Sequence, residues 1–206
     1  VDALLREYIQ PSTALVDGRR ASLPALSDLG RLRLGGRDYE DFVSGNIPAS
    51  LCARLEGRVA RLTSRTIRYP GHLDYMRFLL DELKLRARTD LLRNLFLNAL
   101  PEIVDDRLLI SIGATSRQDG RSVEERFTRE VVPAQIGGST VSAMRRTAAA
   151  HVAAVLDLLR VGAIGVPGLC LQEDIPFSAL SRNRFLSWFF AASAEEGGLT
   201  NPGNAA

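Results

Sequence analysis

Apolar residues fall at helical spacing at the start of the chain, where Leu4, Leu5, Tyr8 and Ile9 share one stripe of "DALLREYI" and Pro11 ends it. The period then changes. "TALVDGRRASL" sets short apolar runs around Asp17-Gly18, a favoured tight-turn pair, and predicts a hairpin. "RLRLGGRDYEDFVSG" predicts a second, with Leu32 and Leu34 alternating before Gly35-Gly36. "NIPASLCARLEG" reads as a short helix with Pro48 near its first turn. "RLTSRTIRY" alternates as a strand, and beyond Pro70-Gly71 a helix carries Leu73, Met76, Phe78, Leu79, Leu80 and Leu83. "TDLLRNLFLNAL" is another helix, with Thr89 as its candidate cap and Pro101 as its stop.

"RLLISIGATSR" and "RSVEERFTREVV" flank "QDG" and give the clearest hairpin in the chain. Val123, Glu125, Phe127, Arg129 and Val131 alternate with a charged set in its second strand, and that charged set is expected to meet water or another chain. "STVSAMRRTAAAHVAAVLDLLRVG" predicts the longest helix, capped by Ser139 or Thr140 and ended by Gly162. Its alanines, 148 to 150 with 153 and 154, allow another backbone to approach closely. "GLCLQ" reads as a short strand and "FSALSRNRFLSWFF" as a final helix. The expected fold is therefore α+β, a mainly antiparallel or mixed sheet with helices packed on one face. One domain is expected over residues 1–190, followed by a disordered tail over 191–206.

Composition changes this picture little. The 206 residues are 46% hydrophobic and 24% charged, ordinary globular values. All but Lys84 of the 26 basic residues are arginine, yet the net charge is only +2 and acids are interspersed throughout. No basic stripe points to nucleic acid, and no apolar run approaches the roughly 20 residues that span a bilayer. Cys52 and Cys170 stand far apart without a CxxC spacing or a neighbouring histidine. That argues against zinc and for a reducing, cytoplasmic location. The first residues hold acids and no secretory pattern, and a start without methionine inside a helical pattern suggests a piece of a longer protein. "GGRDYE" and "IGGSTV" both lack GxGxxG spacing, so no dinucleotide-binding loop is expected here.

Candidate chemistry gathers at "TIRYPGHLDYMRFL", where one of only two histidines follows a Pro-Gly corner. His72 has either a ring aimed into a cleft, able to exchange a proton near neutral pH, or the plain role of a helix-start residue bonded to a nearby carbonyl. Arg68 suits a bidentate carboxylate clamp or a surface ion pair, and Tyr69, on the opposite face of the strand, suits core packing. Ser44, Gly45 and Asn46 form a polar turn with exposed amides before a helix. Arg145 and Arg146 occupy first turns of a helix, where the macrodipole disfavours cations, so a neighbouring acid or an anionic ligand should compensate. His151, mid-helix, reads as packed.

"LEGRVARLTSRTIRYPGHLDYMRFLLDELKL" resembles the non-Rossmann portion of the saccharopine dehydrogenase-like oxidoreductases. That family carries a Leu-Glu-Gly segment leading into a strand that ends in a K-T-[IL]-R-Y-P-G-H run. Leu55, Glu56, Gly57 and Thr66 to His72 match it, with Arg65 replacing the usual lysine. The resemblance runs from about Val1 to Phe189. It departs at Val141, where a bulky aromatic is expected, and at Ala148, where a threonine is more usual.

The resemblance implies the substrate-binding and dimerisation domain of a two-domain NAD- or NADP-dependent enzyme. Such an enzyme oxidises or reduces the C–N bond of a saccharopine- or lysine-type amino acid. The partners so implied are an amino-acid substrate, the chain's own Rossmann domain and a second copy, with neither nucleic acid nor membrane. No cofactor is then expected on this chain alone. His72 takes the catalytic role by resemblance; Arg68, Tyr69, Gly71, Ser44, Asn46 and Arg145 take substrate-binding ones. The rival reading is a homodimerisation scaffold with no retained pocket.

Overall fold

The computed structural model describes residues 1–101, 103–165 and 168–191. The expected tail lies outside them from residue 192 onwards. The chain folds as two compact units, Val1–Pro101 and a second that begins after it. Helices and strands are mixed throughout, and every strand pairing is antiparallel. The strands do not merge into one sheet. Among the described residues they form four small ones, because each hairpin closes on its own tight turn and only β5 adds a third strand.

In the first unit, α1 (Asp2–Ile9) precedes the hairpin β1 (Ser12–Val16) and β2 (Arg19–Leu23). Val16 pairs with Arg19 across Asp17-Gly18, both with positive φ, as a two-residue turn requires. β3 (Gly30–Leu34) and β4 (Arg37–Val43) close in the same way across Gly35-Gly36. β5 (Arg65–Arg68) lies against β4, with Glu40 opposite Arg68. Arg65 fixes this seam: its guanidinium takes Asp41 with both Nε and Nη2 at 2.9 Å, and Asp28 with Nη1 at 2.8 Å. α2 (Ala49–Leu55) covers a small cluster of Leu15, Ile47 and Cys52.

α3 (His72–Arg77) does not continue to Leu83 as a regular helix. It widens into a π-helical turn, Phe78–Glu82, which buries Leu80 and leaves Leu83 exposed. α4 (Thr89–Ala99) follows, but Thr89 is its first residue and makes no side-chain cap. The unit's main core joins Leu5 and Tyr8 of α1 to Phe42, Leu73, Met76, Leu80, Leu92 and Phe96. Pairs spaced three or four apart on each helix supply it, as the apolar spacing requires.

The second unit opens with the long hairpin β6 (Leu108–Gln118) and β7 (Arg121–Val131). Next comes a short hairpin, β8 (Ala134–Ile136) and β9 (Ser139–Val141), across Gly137-Gly138. That hairpin consumes Ser139 and Thr140, so neither caps α5 (Ala143–Arg160); Ser142 does, its Oγ accepting from the Arg145 amide at 3.4 Å.

Residues 168–172 form no strand: a 3₁₀ turn begins at Gln172. The expected last helix is broken into α6 (Phe177–Arg182) and α7 (Ser187–Phe190). Asn183 makes the break. Its backbone leaves the helix with ψ 137°, its Nδ2 donates to Asp157 at 3.1 Å, and its Oδ1 accepts from the Phe185 amide at 2.9 Å. Val131, Ala143, Ala154, Leu158, Leu180, Leu186 and Phe189 form this unit's core.

Candidate functional site

The Pro70-Gly71 corner is made by one carboxylate. Glu40 is buried, and its two oxygens accept from the Gly71 amide at 2.9 Å and the Leu73 amide at 2.6 Å. Gly71 sits at φ 88°, a left-handed conformation that a side chain would strain, and so turns the chain sharply into α3. His72 is thereby placed at the first position of a helix whose start is tied to the middle of β4.

The His72 ring is not bonded to a carbonyl. Its Nε2 lies 2.9 Å from the Tyr8 hydroxyl, and Arg68 Nε donates to the same hydroxyl at 3.1 Å. The ring lies nearly parallel to Phe42, with an interplanar angle of 6° and centroids 6.3 Å apart. Tyr69 meets it edge-on at 5.3 Å. Tyr69 is 61% exposed and is not a core residue. Arg68 is half-buried; its Nη1 donates to the Ile67 carbonyl at 3.0 Å, and its Nη2 makes no hydrogen bond to a described residue. Two of the three guanidinium nitrogens are thus held, and Nη2 alone is left over.

The electrostatics follow from this packing. Burial lowers the His72 pKa from its ordinary value; the nearby Arg68 charge lowers it further, and Glu40 opposes both. Burial raises the Tyr8 phenol, against the pull of Arg68. At neutral pH the corner therefore holds a neutral imidazole, a neutral phenol and a guanidinium.

Of the other expected site residues, Ser44 is buried and its hydroxyl shares a short hydrogen bond with that of Thr66. Asn46 is exposed; its Oδ1 accepts from the Thr13 amide at 3.2 Å. Gly45, at φ 74°, and Asn46 line an open cavity of about 330 Å³ with Ala3, Arg6, Glu7 and Gln10 of α1. Arg145 lies in the second unit, exposed in the first turn of α5. The acid that this helix start calls for is Asp106, whose carboxylate accepts from the Ala143 amide at 2.6 Å and the Met144 amide at 2.9 Å. Arg146 instead lies 3.7 Å over the Trp188 ring.

Two residues central to the corner escape a reading of the sequence. Tyr8 looks like one more member of an apolar stripe, and its partners are more than fifty residues away. Glu40 sits within "RDYED", where charge looks like surface. The usable signal is parity: Glu40 and Phe42 are two apart on the strand, and both are buried on either side of the half-buried Asp41.

Among the described residues no cluster of three or more histidine, cysteine or acidic side chains could hold a metal, and no helix is long and apolar enough to cross a membrane. No family model matches the sequence.

Proposed function

We propose that this chain is the substrate-binding and dimerisation part of a saccharopine dehydrogenase-like, NAD- or NADP-dependent oxidoreductase acting on the C–N bond of an amino acid. The observation that supports this best is the half-committed guanidinium of Arg68 beside a neutral His72 at a rigid corner. Arg68 Nη2 suits a substrate carboxylate, and His72 orients the substrate nitrogen or relays its proton. Gly45 and Asn46 of the polar turn line an open cavity with residues of α1, and its volume lies at the lower end of small-ligand pocket volumes.

The described residues lack the usual dinucleotide-binding pattern. No described strand runs parallel to its neighbour, and the sequence has no GxGxxG loop. In this reading the hydride carrier is bound by a separate Rossmann domain, in the cytoplasm, and the residues here bind, orient and shield the amino acid. In the enzyme so assembled, Arg68→Ala should raise the KM for the amino acid by about tenfold or more, the worth of one charge-assisted hydrogen bond. The KM for the dinucleotide should barely move. Equal changes in both constants, or none, count against the clamp.

The scaffold alternative draws on α5, where Met144, Val152, Leu156 and Leu159 are all exposed. A chain that sediments as a dimer and binds neither saccharopine nor lysine by calorimetry, even with the Rossmann domain supplied, would favour it.

A further inference from the structure

The Tyr8 hydroxyl stands between two nitrogens, and only one distribution of its protons satisfies all three groups. Arg68 Nε has no lone pair to offer and must donate, so the phenol oxygen accepts there. The phenol proton then needs an acceptor. Tyr8 is almost wholly buried, and among the described residues its hydroxyl has only one other hydrogen-bond partner, His72 Nε2. If Nε2 carried a hydrogen, the phenol proton would be left without an acceptor inside the core, a loss that buried polar groups rarely sustain. The proton of the neutral ring therefore sits on Nδ1. That atom makes no hydrogen bond to any described residue and is not completely buried.

We propose that Tyr8 is the positioning residue of this corner, holding His72 as the Nδ1–H tautomer so that it serves a bound ligand as a neutral hydrogen-bond donor and not as a base. The ligand atom it suits is a carboxylate oxygen or an amine or imine nitrogen with a free lone pair. That part rests on the substrate site proposed above; the tautomer itself does not. Every charged or titratable group around the ring bears on this state. Tyr8 from α1 donates to Nε2, and Arg68 on β5 adds positive charge. Tyr69 packs edge-on, and Glu40 of β4 opposes the others while its oxygens are occupied by the Gly71 and Leu73 amides. For Nε2 to take a proton, the phenol must give up its only acceptor beside a fixed cation.

The test is a long-range ¹H–¹⁵N spectrum of the ¹⁵N-labelled chain over a pH titration, with His151→Gln to assign the remaining imidazole. The expected result is an Nδ1–H pattern for His72 at pH 8. In Tyr8→Phe the tautomers should move towards Nε2–H, and the protonation midpoint should rise by about half to one pH unit, the worth of one hydrogen bond. A predominantly Nε2–H ring in the unmodified chain overturns the proposal, and so does an unchanged Tyr8→Phe spectrum. If Tyr8→Phe fails to fold, the unmodified chain alone decides. An enzyme that turns over no amino acid would remove the proposed function and leave the tautomer standing. An Nε2–H ring would remove the role of Tyr8 and leave the Arg68 clamp standing.

Discussion

Glu40 holds two backbone amides with one buried carboxylate. Glu40→Ala should destabilise the protein by about 2–3 kcal/mol in urea unfolding, because charge-assisted bonds are lost and two amides are left short of acceptors. Glu40→Gln keeps one acceptor and should lose less. His72 gives a pH signature with a definite sign. Its pKa is lower folded than unfolded, so the unfolded chain binds the extra proton first. Its contribution to stability is full above the ordinary histidine value and declines as pH falls from there towards the folded pKa. Unfolding midpoints of the native chain should drop over that interval, and His72→Asn should flatten the drop. Much of this corner was legible in the sequence, since Pro70-Gly71 marks a forced turn and His72 follows it. Tyr8 was not, because a helical stripe announces burial and says nothing of what a buried hydroxyl will meet.

The elements that could be read ahead of the structure are those whose instructions are local. Asp17-Gly18, Gly35-Gly36 and Asp119-Gly120 each set a two-residue turn with positive φ at both positions, and each hairpin formed where expected. The elements misread depend on distant partners. Where α5 starts is decided by Asp106, 37 residues before Ala143, and by the Gly137-Gly138 turn that draws Ser139 and Thr140 into β9. The break between α6 and α7 depends on Asn183 reaching Asp157, 26 residues away. Asp106→Ala should therefore cost about 1–2 kcal/mol, read as a lowered thermal midpoint, since it removes acceptors and a favourable charge from one helix end. Ser142→Ala, which loses a single 3.4 Å contact, should cost about half as much or less.

Over the whole molecule, each unit has its own apolar cluster, and the corner, its aromatic neighbours and the Ser44–Asn46 turn all belong to the first. A chain ending at Pro101 should unfold cooperatively and keep the imidazole spectrum of the full chain; a molten spectrum would show that the first cluster is insufficient by itself. Glu40 and Phe42 of β4, with Ser44 one residue past its end, serve three different tasks. Glu40 ties down the corner, Phe42 lies flat beside the imidazole, and Ser44 meets Thr66. One stretch of chain thus holds the corner together, while Gly45 and Asn46 just beyond it line an open cavity with residues of α1. A register slip of one residue in that stretch would therefore unseat all three tasks at once, whereas cavity residues such as Ala3 and Gln10 carry none of them.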